Sequence, residues 1–133
     1  MGEQRQRARN RVKHFEDLEV WQLGKELVLA VYGITASFPD NETYGLTAQI
    51  RRASVSVPAN IAEGFGRYHY RDKVRFLLQA RGSLHELRSH LLIAQALGFI
   101  SDEVLRPILT LLQNLNVKIN NLIAVLRTRS LHD

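Results

Sequence analysis

The stretch QIRRASVSVPANIAEGFGR, residues Gln49 to Arg67, decides the fold. Apolar or small residues recur in it at three- and four-residue steps, which is the spacing of an α-helix. Pro58 stands in the middle, although proline in a helix interior lacks an amide hydrogen and clashes with the preceding turn. Asn60 and Glu63 fall where the repeat places core residues. The stretch therefore predicts a bent helix with polar groups on its inward face.

The next helical segment along the chain, which starts at Tyr70, repeats this combination of small and polar residues on one face. The steps of three and four residues place each set along a single side of its helix. On two neighbouring helices, the two sets predict a shared line of hydrogen bonds, since buried polar groups need partners. We call this line the polar seam, and its predicted polar members are Gln49, Ser56, Asn60, Glu63, Ser83 and Glu86.

Four helical segments account for nearly all of residues 15–128, and no strand pattern competes with them. The first starts after Asp17 and stops at Phe38; the second begins within 40–43 and ends at Gly64 to Gly66. The third runs from Tyr70 to Gly98, and the fourth starts at Ser101 as its cap or at Pro107. This order predicts an all-α, up-down four-helix bundle. Residues 1–14 are expected to form a basic, disordered tail, and residues 129–133 a short C-terminal tail.

The first helix is apolar over a wider arc than one face of a bundle requires. Leu23, Leu27, Leu29 and Tyr32 broaden its apolar stripe. A surface of this kind is typically covered by another subunit. We therefore expect a homo-oligomer.

Charge and composition limit the classes of protein to which this chain can belong. The 133 residues carry a net charge of +5 and no cysteine, which excludes disulfides, thiolate metal sites and thiol catalysis. The longest run without charge, Leu27 to Pro39, is too short to span a bilayer. The basic N-terminus leads into a charged segment and not an apolar one, so we expect no secretory signal. We expect a cytoplasmic protein that needs no membrane and no cofactor.

Catalytic and metal-binding patterns fail on spacing. His85 and His90 are five apart, so they lie on different sides of a helix and do not form a zinc-protease pair. Paired carboxylates Glu63 and Glu86, or Glu86 with His90 as base and partner, remain a minor alternative. The GFG at Gly64 lacks a preceding strand and a phosphate-loop lysine. The sequence therefore predicts neither an enzyme nor a metal site.

The basic residues of the second and third helices form the main candidate site. Between residues 51 and 88 there are eight cations and three acids, and two tyrosines lie where bases can stack. This balance favours RNA or DNA as a partner, and the alternative is a scaffold that binds only protein. The predicted nucleic-acid-binding residues are Arg51, Arg52, Arg67, Tyr68, Tyr70, Arg71, Lys73, Arg75, Arg81 and Arg88.

Three stretches also resemble a known family: FEDLEVWQLGKELV, FPDNETYGLTAQIRRASVSVPANIAEGFGR and RFLLQARGSLHELRSHLLIAQALGFI. They are similar to the successive motifs of the bacterial 23S rRNA intervening-sequence proteins, over about Phe15 to Arg127. The middle motif is the most specific, with these residues in register: Gln49, Arg52, Ala53, Asn60, Glu63 and Gly64. The arginine-rich residues before His14 are not part of the pattern.

The resemblance implies a cytoplasmic four-helix bundle that assembles as a ring-like homopentamer. The family is encoded in some bacteria inside insertions of rRNA genes. It is similar in architecture to the accessory variability protein of diversity-generating retroelements, a basic pentamer that binds nucleic acid and the reverse transcriptase. The scaffold alternative therefore implies a protein partner such as a reverse transcriptase or a ribosome-associated factor.

The wide apolar arc of the first helix predicts self-association in solution. Light scattering at micromolar concentration should give the mass of an oligomer, with five subunits implied by the resemblance. A monomeric mass would contradict this expectation.

Overall fold

A computed structural model describes residues 12–131. Four α-helices make up most of this part of the chain: α1 (Glu19–Thr35), α2 (Leu46–Phe65), α3 (Tyr70–Ala96) and α4 (Asp102–Ser130). Short 3₁₀ turns lie at Phe15–Asp17 and Asp40–Glu42, and residues 12–131 contain no strand. The predicted all-α class is confirmed. Of the two predicted tails, residues 1–11 and 132–133 lie outside the described part.

The four helices close into a bundle around one core. Each helix packs against the next, and α1 also packs against α4. The short connections 66–69 and 97–101 leave no room for a crossover, so the helices that they join run antiparallel. The largest fully buried apolar side chains come from all four helices: Leu27, Val31, Ile50, Val57, Ile61, Leu87, Leu91, Leu105, Leu115 and Ile119.

Two helix starts differ from the prediction because short turns precede them. The carboxylate of Asp17 accepts hydrogen bonds from the backbone amides of Lys13 and His14, both at 3.2 Å, so it caps the 3₁₀ turn rather than α1. Helix α2 begins at Leu46, later than residues 40–43. Glu42 Oε2 accepts from the Leu46 amide at 2.9 Å and satisfies one of the free donors at that end.

The predicted end of α3 is confirmed in detail. Gly98 has a φ of +82°, its amide donates to the carbonyl of Gln95, and the Phe99 amide donates to that of Ala94, both at 2.9 Å. This is a Schellman motif, in which glycine adopts the left-handed conformation at no steric cost. Phe99 then packs against Phe38, with ring centroids 5.6 Å apart.

Ser101 caps α4, and the helix continues through Pro107. The Ser101 hydroxyl accepts a hydrogen bond from the Val104 amide at 3.2 Å. Pro107 leaves the carbonyl of Glu103 without its helical donor, but both residues are exposed and water can take that place. The helix therefore starts at Asp102, not at Pro107.

Pro58 serves the contact between α1 and α2. It is buried inside α2, which runs without interruption from Leu46 to Phe65. A Cβ added at Gly24 of α1 would lie 3.2 Å from Pro58 Cβ. The glycine therefore makes room for the proline ring where the two helices cross.

Gly64 likewise allows a close approach between α2 and α3, the two helices with the most extensive contact. A Cβ added at Gly64 would lie 3.0 Å from Phe76 Cβ and 3.2 Å from the carbonyl oxygen of Lys73. One of these neighbours is backbone, which cannot turn aside. Only glycine fits this contact without displacing the start of α3.

The substitution Gly64→Ala should lower the free energy of unfolding by about 1 to 3 kcal/mol, because the extra methyl overpacks the α2–α3 contact. Gly82→Ala is the matched control: Gly82 lies in α3, and a Cβ there would meet nothing within 4 Å. It should raise stability by about 0.5 to 1 kcal/mol, since alanine is the better helix residue. Denaturant unfolding at equal protein concentrations measures both changes. Equal shifts in the same direction would contradict the proposed contact.

Candidate nucleic-acid interface

The connection from α2 to α3 brings six of the predicted site residues together. We call this set the turn cluster: Arg67, Tyr68, Tyr70, Arg71, Lys73 and Arg75. Helix α2 ends at Phe65, where the Gly66 amide donates to the carbonyl of Ala62 at 3.3 Å, and the Arg67 amide donates to that of Gly64 at 3.2 Å. His69 then starts α3 in an extended conformation. The two bonds tie the first residues of the connection to the last turn of α2.

Phe76 orders two of the cations. The guanidinium carbons of Arg67 and Arg75 each lie 4.7 Å from the centroid of its ring, within the range of a cation–π interaction. Each arginine also has a carboxylate neighbour: Arg67 pairs with Glu63, and Arg75 lies 3.6 Å from Asp72. Both guanidinium groups remain about half exposed, so they are oriented without being removed from solvent.

Tyr68 and Arg71 are both exposed members of the turn cluster that make few contacts with the described part of the chain. Tyr68 is 90% exposed, and its ring lies perpendicular to the neighbouring His69 ring, with centroids 5.0 Å apart. Arg71 is exposed and makes no hydrogen bond or ion pair with residues 12–131. Tyr70, by contrast, is partly buried and packs against the core. Of the two tyrosines, Tyr68 presents the face on which a base can stack.

Lys73 points back toward α2. Its ammonium donates to the carbonyl oxygen of Phe65 at 2.8 Å and lies 5.6 Å from the Phe65 ring centroid. Burial lowers the pKa of Lys73 below the ordinary value for lysine, because removal from water disfavours the charged form. Lys73 is therefore the least solvated cation of the turn cluster.

Two of the other predicted cations lie on different sides of α2. Arg51 Nε donates to Thr35 Oγ1 at 2.9 Å, and its guanidinium lies 4.6 Å from the centroid of the Tyr32 ring, both on α1. Arg52 turns toward α3, where it lies 3.3 Å from Glu86. One residue step rotates a helix by about 100°, which separates the two arginines.

The remaining two cations lie beside α4. Arg81 donates to Asn120 Oδ1 of α4 at 2.9 Å. Arg88 lies in a shallow depression that it shares with Asn116 of α4. The ten predicted residues thus occupy four separate places on the protomer, and among these ten the turn cluster is the largest group.

The polar seam divides into two groups of contacts, and in each group one contact joins α2 to α3. In the first, Ser83 Oγ bonds to Ser56 Oγ at 3.0 Å, and Asn60 Nδ2 donates to the Ser56 carbonyl at 2.9 Å and to its hydroxyl at 3.1 Å. These three side chains are buried or partly buried. They lie where two helices approach closely through small residues.

The second group is exposed and centres on Glu86. Its carboxylate accepts from Arg52 at 3.3 Å and lies at the same distance from His90 Nε2, while Arg52 also donates to Gln49. Glu63 joins neither group: it is exposed near the end of α2, where Arg67 is four residues away on the same face. Its partner is an arginine, but that pair lies at the surface and not between the helices.

Phe76, Thr35 and Asn120 hold cations of the candidate site and were missed at the sequence level. Phe76 has the spacing of an ordinary core residue, and the other two are single polar residues on predicted helices. Within residues 12–131, no group of histidine, aspartate and glutamate side chains could hold a metal ion. None of the described helices is long and apolar enough to cross a membrane.

Asn60→Ala and Glu63→Ala should differ in stability. Asn60 makes two partly buried hydrogen bonds, and its loss should lower the free energy of unfolding by about 1 kcal/mol. Glu63 forms only an exposed pair with Arg67, so its loss should cost at most about 0.5 kcal/mol. Thermal or urea unfolding of both variants measures the difference. A larger cost for Glu63→Ala would place Glu63 in a buried network and contradict this geometry.

The family model described as 23S rRNA-intervening sequence protein matches residues 16–121. The match includes the polar seam and the whole turn cluster, and it extends from the first 3₁₀ turn through most of α4. The arginine-rich N-terminal residues lie outside it. No curated protein matches the chain.

Proposed function

This chain belongs to the 23S rRNA-intervening sequence protein family, and from that premise we propose that it is a non-enzymatic protein that binds nucleic acid through the turn cluster. RNA is the first expected partner, since the family is described by an rRNA insertion, and DNA backbone phosphates offer the same chemistry. In this account, arginines contact phosphates while Tyr68 stacks on an unpaired base. The chain itself contributes all the binding groups, and no cofactor is needed.

The observation that carries the proposal is the exposure of oriented cations at one end of the bundle. Arg67 and Arg75 are held by the Phe76 ring, and Arg71 extends freely beside them. Glu63 and Asp72 offset part of this charge but leave the turn cluster positive. Guanidinium groups bind phosphate without a fixed sequence motif, because they need only be accessible and correctly spaced.

Oligomerisation would multiply this weak contact. Leu29 and Tyr32 of α1 are 65% and 43% exposed, which is consistent with a subunit contact on that helix. In a homopentamer, five turn clusters would bind one strand with the gain that multivalency gives. Arginines 5, 7, 9 and 11 lie outside the described residues and would add sequence-independent charge.

A protein-only scaffold is the second candidate, and one surface favours it. Leu92, Ile93 and Leu97 are partly exposed near the end of α3, and four of the predicted cations lie away from the turn cluster. In this reading, the apolar surface binds a partner such as a reverse transcriptase or a ribosome-associated factor. The two candidates differ in whether nucleic acid binds to the isolated oligomer.

Fluorescence anisotropy with labelled single- and double-stranded oligonucleotides at several salt concentrations tests the proposal. Binding should weaken steeply with salt and depend little on sequence, with a log–log slope of about −0.7 per phosphate contacted on single strands. Replacing Arg67, Arg71 and Arg75 with glutamine should weaken binding strongly and reduce the slope by roughly 2, one contact for each arginine.

The matched control replaces Arg52, Arg81 and Arg88 with glutamine, which removes the same charge from other sides of the bundle. It should weaken binding much less. Tyr68→Ala should cost about 1 to 3 kcal/mol if a base stacks there, and Tyr44→Ala, at another exposed tyrosine, should cost little. Equal losses for both triple variants would reject the turn cluster as the docking surface. No binding by the intact oligomer at low salt would leave the scaffold as the better account.

A further inference from the structure

A cleft of about 210 Å³ lies between the end of α2, the start of α3 and the end of α4. Its interior is aliphatic and aromatic, with surfaces from Ile61, Phe65, Leu77, Leu122 and Leu126. An apolar cavity of about 150 Å³ lined by similar side chains holds benzene. This cleft therefore has room for one aromatic ring with a short substituent, or for a short alkyl chain.

Two cations line the same cleft, and no acidic residue does within the described chain. Lys73 comes from the first turn of α3, and Arg129 from the last turn of α4. The Lys73 ammonium has the Phe65 carbonyl as its partner at 2.8 Å, and it forms no ion pair with an acid of residues 12–131. Two of its protons therefore remain available to another acceptor. The cleft combines an apolar interior with unneutralised positive charge.

We propose that this cleft binds a small apolar monocarboxylate, with its ring or alkyl chain among the leucines and its carboxylate between Lys73 and Arg129. The carboxylate supplies the counter-charge that the cleft lacks, through charge-assisted hydrogen bonds. The apolar part gains by leaving water. This ligand class follows from the lining of the cleft, which shares Lys73 with the turn cluster.

Two other occupants fit the lining less well. A nucleobase has polar edges, and most of the cleft offers aliphatic side chains that cannot pair with them; unpaired polar groups are costly to bury. The N-terminal residues 1–11 carry four arginines and one glutamate. Val12, which follows this segment, lines the cleft, but the net charge of residues 1–11 has the same sign as Lys73 and Arg129, so they do not supply the counter-charge that the cleft lacks.

Isothermal titration of the full-length oligomer with octanoate and 3-phenylpropionate, each compared with the alcohol of the same skeleton, tests the proposal. The carboxylates should bind at least tenfold more tightly than the alcohols. Lys73→Met should remove most of this preference, whereas Lys25→Met, at an exposed lysine of α1, should leave it unchanged. Circular dichroism checks that both variants fold. Equal binding of acid and alcohol, or adenosine monophosphate binding as tightly as octanoate, would overturn the assignment.

A second readout follows Lys73 in the wild-type protein. Burial lowers its pKa, and a carboxylate beside the ammonium favours the charged form, so the pKa should rise when octanoate binds. Octanol should not raise it. NMR titration of the Lys73 side chain with and without each ligand measures the shift. An unchanged Lys73 pKa in the presence of saturating octanoate would overturn the proposal, as would the absence of any carboxylate binding at millimolar concentration.

Discussion

The close approach of α2 to α3 at Gly64 is the contact on which the rest of the candidate site depends. A side chain there would meet the Phe76 side chain and the backbone of Lys73. Because the glycine leaves this space open, Phe76 lies near enough to hold Arg67, and Lys73 reaches the Phe65 carbonyl. A single missing Cβ thus positions both the cationic surface and one wall of the apolar cleft.

The same contact explains how several like charges can share one short connection. Repulsion among the cations of the turn cluster is offset locally: the Phe76 ring faces two guanidinium groups, and Glu63 and Asp72 lie beside them. These interactions are exposed and individually weak, so they orient the arginines more than they neutralise them. A phosphate can replace such a carboxylate at small cost. Under the proposed function, the arginines of the turn cluster are thus oriented before nucleic acid binds, while Arg71 and Tyr68 are exposed to solvent.

Helix positions could be predicted from the sequence where a local signal determines them, as Gly98 does for the end of α3. The prediction was wrong where a short turn precedes the helix: Asp17 caps the 3₁₀ turn and not α1. The candidate site was less predictable, because a residue's partner depends on the rotation of whole helices. Arg51 and Arg52 are adjacent in sequence, yet they contact α1 and α3 respectively. Likewise, three- and four-residue steps placed Glu63 on the polar seam, but the seam ends before it. Spacing identifies a shared face; it does not show where the neighbouring helix stops covering that face.

Photo-crosslinking of the full-length protein to a single-stranded RNA that carries 4-thiouridine, followed by mass spectrometry of the peptides, tests the central claim most directly. That claim is that the turn cluster, held by the α2–α3 contact, is the surface that meets nucleic acid. The account predicts crosslinks concentrated in residues 67–75, with Tyr68 among the modified positions. Crosslinks concentrated around Arg52 or around Arg81 and Arg88, with none in residues 67–75, would contradict it.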